Sequence, residues 1–275
     1  SEANKMEKLL HLENHFLVAY WDQRGCGLSF AKNISPGSIS LSQMADDTIT
    51  CTKLLLKKYN KSRAVIVGYS IGATIAVMAA AKDSSLFSVI FAAGIDVNIP
   101  FANRYMLDFA MENAMARKNN KWIKKINEWK EQPIVESKRF QERAEVIGSL
   151  GGIQSNTSYN SLILGAVKNM LFSKYYGIGG LLKTMGGMAF CQDALIPEMN
   201  LLNLFQIVSE IRVPVHFIQG KLDAVAPASQ GREFYEHLQA PEKSYSLFEK
   251  SAHAPQYEEP EKFSDIILSH FKPSK

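Results

Sequence analysis

Residues 68–72 read Gly-Tyr-Ser-Ile-Gly and stand between two apolar runs. Arg63-Ala64-Val65-Ile66-Val67 has the length and β-branched content of a buried strand. Residues 73–81 have the largely apolar character of a buried helix. A Gly-x-Ser-x-Gly squeezed between a strand and a helix is a sharp turn that strains the serine backbone and lifts its hydroxyl above the sheet. Gly68 and Gly72 are expected to be small because strand and helix pass close together there. A serine hydroxyl attacks a carbonyl only when a base removes its proton, so the chain must also supply a base and a group to orient it.

Both candidates stand in the tail. Val213-Pro214-Val215-His216-Phe217-Ile218-Gln219-Gly220 reads as an apolar strand, followed by Lys221-Leu222-Asp223. Ser244-Tyr245-Ser246-Leu247-Phe248 alternates as a strand and leads into Glu249-Lys250-Ser251-Ala252-His253. Open α/β sheets place their chemistry at the carboxyl ends of strands. In the chain order serine, acid, histidine, Ser70 is the expected nucleophile. Asp223 is the acid that orients the imidazole, and His253 is the base that later protonates the leaving group. The backbone N–H of Ile71 is the expected oxyanion donor, and Tyr69, beside the nucleophile, is expected to touch substrate.

Plainer readings stand beside these. A serine in a Gly-rich turn is often only a turn residue, and His253 fits a surface loop. Asp223 fits the cap of a helix starting near Pro227. Asp96, after the strand-like residues 88–93, is a rival acid. His11, His15, His216, His237 and His270 form no His-Glu-x-x-His motif, so no metal site is expected.

The elements that must position these residues follow from pattern. Residues 6–12 read as a helix and 16–21 as a strand that empties into a turn-rich loop at 22–29. Ser40-Leu41-Ser42-Gln43 has capping-box spacing and opens a helix over 41–59. Strand and helix then alternate, which predicts an α/β fold with a mostly parallel sheet covered on both faces. From 98 to 205 no strand is convincing, and helical patterns follow one another at 101–117, 121–131, 137–149, 158–172 and 180–190. This stretch interrupts the sheet. The expectation is a core of residues 1–97 and 206–275, with 98–205 as a helical cap, or lid, over Ser70 that excludes water. In the cap, Trp122, Ile126 and Trp129 share one helix face and lysines cover the other. Packing over the core is favoured over a membrane surface.

Composition narrows the classes. The 275 residues are 46% hydrophobic and 21% charged, as in one large globular domain or a domain with an insertion. A net charge of +4 without a long basic block gives no case for nucleic acid. Cys26, Cys51 and Cys191 are odd in number, far apart in sequence and without Cys-x-x-Cys spacing. That points to a reducing, cytoplasmic setting rather than to disulfides or zinc. No run reaches the ~18 apolar residues of a membrane span, and the polar start does not read as a signal peptide. No membrane partner is expected.

Asp22-Gln23-Arg24-Gly25-Cys26-Gly27-Leu28-Ser29 closely resembles the D-Q-R-G-x-G-x-S segment of prolyl iminopeptidases and their α/β-hydrolase relatives. Residues 68–72 match the family's nucleophile elbow. Gly220-Lys221-Leu222-Asp223, and Ser251-Ala252-His253 followed by Glu258-Glu259-Pro260-Glu261-Lys262-Phe263, resemble its acid and histidine loops. The resemblance covers both sheet-forming parts and is weak across the lid. It implies the α/β-hydrolase fold, a helical cap, and cofactor-free cleavage of a small ester or amide, from a small molecule or short peptide, through an acyl-enzyme. Within that frame the competing readings are a carboxylesterase and a non-catalytic ligand-binding protein on the same fold.

Two departures qualify the resemblance. Ile71 stands where prolyl iminopeptidases carry Trp, and Tyr69 where they carry Gly, which weakens the peptidase assignment more than the hydrolase one. An aminopeptidase of this kind also needs carboxylates for the substrate amine. The lid offers Glu112, Glu128, Glu131, Glu136, Glu142, Glu145, Asp193 and Glu198. Last, only 21 residues precede Asp22, and none forms the His-Gly-Gly-type loop that gives the second oxyanion N–H. The chain is therefore read as N-terminally incomplete, with the strands at 16–21 and 64–67 left with unpaired edges.

Overall fold

The computed structural model describes residues 3–130 and 136–271. Strands β1 (Ala64–Tyr69), β2 (Phe87–Ala93), β3 (Val215–Gly220) and β4 (Lys243–Phe248) form one parallel sheet in that spatial order. Between and around them run α1 (Ala3–Leu10), α2 (Leu41–Tyr59), α3 (Ile71–Lys82), α4 (Ile99–Ala116), α5 (Asn120–Lys130), α6 (Ser137–Ser149), α7 (Tyr159–Leu171), α8 (Gly177–Met199), α9 (Leu204–Ile207), α10 (Ala228–His237), α11 (Pro255–Glu258) and α12 (Pro260–Ser269).

The sheet is covered on both faces, which is why its inner strands read as continuous apolar runs. Phe87, Ile90 and Ala92 of β2 pack with residues of α2 and α3, including Met44, Ile75 and Ala79. Val89, Phe91 and Ala93 point the other way and pack with Leu10, Leu12, Phe263 and Ile267. Helix α3 is apolar on all sides, with eight residues buried, because it is enclosed rather than half-exposed. Local signals set the ends of α2. Ser40 Oγ accepts the Gln43 N–H at 3.1 Å, and Asn60 ends the helix in a left-handed conformation with φ 51°.

The parallel register brings four strand ends to one rim. Tyr69 pairs with Ala93, Ala93 with Ile218, and Gly220 with Phe248. The segments that follow each strand, and the candidate residues on them, therefore emerge side by side.

The strand expected at 16–21 does not form. The segment is unpaired chain with Leu17, Tyr20 and Trp21 exposed, and none of its residues pairs with β1 or another strand. Aromatic and β-branched content favours a strand only where a ladder partner exists. Strand β1 lies at an outer position of the sheet, with Val67 41% exposed. The neighbouring loop 22–29 is strongly organised. Asp22 Oδ2 accepts the Leu28 N–H at 2.8 Å, and Ser29 Oγ donates to the Asp22 carbonyl at 2.8 Å. Arg24 makes a bidentate pair with Asp47 of α2 at 2.7 and 2.6 Å, which holds that carboxyl below its ordinary range. The motif residues thus bind the loop to itself and to α2.

Between β2 and β3 the described residues hold helices α4 to α9, and an isolated bridge from Asn98 to Asn203 closes that stretch. Asn98 caps α4 through the Phe101 N–H. Ile126 and Trp129 of α5 are buried against Ala110 and Ala114 of α4 and Val146 and Ile147 of α6, so the apolar stripe of this basic helix is used up in internal packing. Helix α8 extends nine residues past its expected end at 190, to Met199. Cys26 and Cys191, distant in sequence, meet where the 22–29 loop packs on α8, with Sγ atoms 3.0 Å apart and both thiols free. No helix among the described residues is long and apolar enough to cross a membrane.

Candidate active site

Strand β1 ends at Tyr69 and α3 begins at Ile71, so the chain reverses at Ser70 alone. Its φ of 54° and ψ of −131° are strained for a residue with a side chain. The turn is pinned on both sides: the Ser70 N–H donates to the Ala93 carbonyl at 2.9 Å, and its carbonyl accepts the Ala73 N–H at 2.8 Å. A Cβ on Gly68 would lie 2.5 Å from the Ala73 Cα, so strand and helix do pass close there. Gly72 departs from expectation. A Cβ there would meet only the Gln23 side-chain amide at 3.9 Å, so close approach does not explain that glycine. Ile71 opens α3, and its N–H is one of those at a helix start without an intrahelical partner.

His253 reaches the same place because two glycines let its loop through. A Cβ on Gly220 would overlap the Ala252 carbonyl oxygen outright. Gly94, with φ 54°, would place one 3.1 Å from the His253 carbonyl and 3.3 Å from its Nδ1. Glu258 and Glu259 hold the loop from below: Glu258 accepts the Ala252 N–H at 2.8 Å and Glu259 accepts Ser251 Oγ at 2.8 Å. Gly220→Ala is therefore expected to destabilise the protein by at least ~2 kcal/mol and to abolish turnover, since backbone meets side chain with no rotamer to yield. Chemical unfolding and a rate assay check this; a variant with parental stability and activity would contradict the crossing.

The three side chains expected from sequence are brought together. Ser70 Oγ lies 2.9 Å from His253 Nε2, and His253 Nδ1 lies 2.9 Å from Asp223 Oδ2. The other Asp223 oxygen, Oδ1, accepts the N–H groups of Val225 and Ala226, each at 2.8 Å. The His253 and Asp223 side chains are 7% and 0% exposed. A hydroxyl, an imidazole and a buried carboxylate in this sequence can pass a proton from oxygen to nitrogen while the ring is held in one tautomer. The imidazole's acid partner is Asp223, not Asp96.

Residues 5–260 match the model of the alpha/beta hydrolase fold family. The chain belongs to that family. It is 30% identical over 264 residues to the probable aminopeptidase YbaC of Bacillus subtilis (strain 168), covering 94% of this chain and 81% of that one. Among solved structures, an esterase from Exiguobacterium antarcticum superposes with a TM-score of 0.62 at 17% identity, covering 97% of this chain and 87% of the other. A proline iminopeptidase-related protein from Thermus thermophilus gives 0.61 at 15%, covering 97% and 83%. These two likenesses speak for the fold.

The hydrolase has a cavity of about 120 Å³ at Ser70, lined by Ile71, Asp96, Ile99, Ala102, Asn103, Met106, Phe140, Ile196, Met199, Asn200 and Val225. A larger depression, about 630 Å³, lies at the amino ends of the strands around Arg63, Lys82 and Arg212, away from Ser70. Tyr69, expected to touch substrate, does not line the cavity at Ser70. Its ring packs against the His253 imidazole at 5.1 Å. None of the described carboxylates between 98 and 205 lines that cavity either. Glu198 accepts the Leu41 N–H, Asp193 the Ser137 N–H, and Glu142 pairs with Lys125; Glu131 lies outside the described residues. His216 and His270, with Glu242, bring three donor atoms within 4.8 Å, and the two imidazoles already hydrogen-bond each other at 3.1 Å. Spacing along the chain, 54 residues between the rings, hid this cluster.

One group escaped the sequence reading and another was read only in part. Gln219 is fully buried. Its carboxamide accepts the Ile95 N–H at 3.1 Å and donates to the Ala226 carbonyl at 2.8 Å, tying the loop after β2 to the loop of Asp223. Asp96, weighed only as a rival acid, accepts a hydrogen bond from Ser70 Oγ at 3.0 Å. Burial pushes its carboxyl up to about 6, with the nearby His253 and the Ser70 hydrogen bond pulling the other way and Asp223 adding to the rise. A carboxyl raised in the folded state favours its protonated form there. The stabilisation is complete below the unfolded value of about 3.9 and is lost as pH rises through about 6, a difference of about 3 kcal/mol. Asp96→Asn is accordingly expected to be more stable than the parent above pH 7, with the gap closing towards pH 4. Urea unfolding across that range measures it, and a gap that does not change with pH would contradict the assignment.

Proposed function

We propose that this hydrolase cleaves a small ester or amide through an acyl-enzyme on Ser70, in the manner of a prolyl iminopeptidase-like serine hydrolase. The observation that carries the reading is Ser70 Oγ within 2.9 Å of His253 Nε2 while His253 Nδ1 is held by Asp223. His253 takes the hydroxyl proton as Oγ bonds to the carbonyl carbon. The negative charge that forms on the carbonyl oxygen falls near the start of α3, where the Ile71 N–H is offered. Collapse expels the amine or alkoxide, protonated by His253. Water, deprotonated by the same ring, then releases the acid.

In this reading residues 98–205 act as a cap on a core of 1–97 and 206–275. The cavity's apolar wall comes largely from α4, α6 and α8, through Met106, Phe140, Ile196 and Met199. Such a wall excludes water and restricts the acyl group to a small one. The aminopeptidase name of the Bacillus subtilis relative supports an aminoacyl substrate. A fluorophosphonate probe tests the reading directly: a single adduct at Ser70 is expected, and its absence in active protein would sink the nucleophile assignment. Hydrolysis rates of an ester and an amide sharing one acyl group separate a peptidase from a carboxylesterase.

A further inference from the structure

One carboxylate faces the hydroxyl of Ser70 from the cavity wall. Asp96 is 5% exposed, and its Oδ2 stands 3.0 Å from Ser70 Oγ. Among the described residues, Ser70 is the one group that donates a hydrogen bond to this carboxylate. The hydroxyl therefore has one proton and two acceptors, since His253 Nε2 is 2.9 Å away on the other side. A proton directed at Asp96 is withheld from the imidazole. An ionised Asp96 with no further donor thus works against the proton transfer that attack requires.

The cavity does not relieve this. Its other lining side chains are apolar apart from Asn103 and Asn200, and none is a lysine or arginine. A buried anion without a positive partner carries a large desolvation cost. The carboxyl value of about 6 leaves it mostly ionised above neutral pH, so the cavity sets a carboxylate next to the reacting oxygen with no lysine or arginine among its lining residues; the charge near it is that of His253, the ring the reaction itself needs as a base.

We propose that Asp96 is a cation subsite that binds an ammonium group carried by the acyl part of the substrate, next to the carbonyl to be cleaved. The preferred substrate is then an ester or amide of a small amino acid with a free amine, or the N-terminal residue of a short peptide. The distances fit. In an α-aminoacyl group the nitrogen lies about 2.5 Å from the carbonyl carbon. A carbonyl carbon poised about 3 Å from Ser70 Oγ puts that nitrogen within reach of a carboxylate that is itself 3.0 Å from the same oxygen. The ammonium has three donors. It takes over the bond that Ser70 makes to Asp96, and the serine proton returns to His253 Nε2. Substrate binding thereby both neutralises the buried charge and releases the hydroxyl for attack.

The proposal rests on Ser70 as the attacking group, and the experiment keeps the two claims apart. The first arm measures binding of L-alaninamide and of propionamide, its analogue without the amine, to the parent and to Asp96→Asn by calorimetry. The parent is expected to bind alaninamide ~10- to 100-fold more tightly than propionamide, the size expected for a charge-assisted hydrogen bond. Asp96→Asn is expected to lose that difference. The second arm compares kcat/KM for the p-nitrophenyl esters of alanine and of propionic acid. Asp96→Asn should lower the ratio of the alanyl to the propionyl value ~10- to 100-fold, whatever change the two esters share. Equal binding of the two amides by the parent, or an equal loss on both esters in the variant, overturns the subsite. Asp96→Ser serves as a second variant, with thermal unfolding as the folding control. Failure of the Ser70 assignment would appear instead as parental turnover in Ser70→Ala, and the binding arm decides the subsite in either case.

Discussion

Ser70→Ala is expected to lower turnover by ~10⁴- to 10⁶-fold with the fold retained. The reasoning is local. The hydroxyl bridges His253 and Asp96, and no backbone hydrogen bond runs through it; the turn is held by the Ser70 N–H and carbonyl. Alanine keeps both of those groups and bears the same strain at φ 54°. The unfolding transition should therefore move little while the acyl-enzyme can no longer form. Single-turnover kinetics with an activated ester, together with thermal unfolding, measures both. Activity near the parent's would mean that another group attacks.

Asp223→Asn is expected to cost about 10⁴-fold in kcat at parental stability, and here the structure dictates the cause. Asp223 Oδ1 accepts two backbone N–H groups, from Val225 and Ala226. An asparagine keeps those bonds only by turning its carbonyl oxygen towards them, which aims its amide N–H₂ at His253 Nδ1. The ring must then accept at Nδ1 and carry its proton on Nε2. A protonated Nε2 facing Ser70 Oγ cannot take the hydroxyl proton. A proton NMR spectrum of the imidazole N–H, read beside the rate, tests this. A normal rate, or an Nδ1 proton retained in the variant, would show that the loop does not fix the amide.

Much of this was legible along the chain because it is set by neighbours in sequence. The Gly-x-Ser-x-Gly turn needs only a strand before it and a helix after it, and the strained φ at Ser70 follows from that junction. The ends of α2 were readable from Ser40 and the apolar period. The helices between 98 and 205 were readable because their periodicity is strong, and the basic helix α5 because Trp129 and Ile126 share a face. Other features were not readable, each for a physical reason. The segment at 16–21 has strand-like composition and no ladder partner, so propensity misled. Gly72 looked like a packing glycine, yet a Cβ there would make only an ordinary contact with the Gln23 side-chain amide. Tyr69 sits beside Ser70 in the chain, yet successive side chains of a strand point to opposite faces, and its ring lies against His253 instead of in the cavity.

Short-range pattern was enough for the fold class, for Ser70 and His253 as candidates, and for the order in which the chain presents them. Each of these depends on runs a few residues long. Choosing between Asp223 and Asp96 as partner of the imidazole required the folded molecule. Both follow strands, and the choice turns on a parallel register that carries the two loops to the same rim and on Gln219 tying them together from inside. The same long-range packing set the buried carboxyl of Asp96 against the serine hydroxyl. Burial and proximity arise between residues far apart in the chain, and no local pattern encodes them.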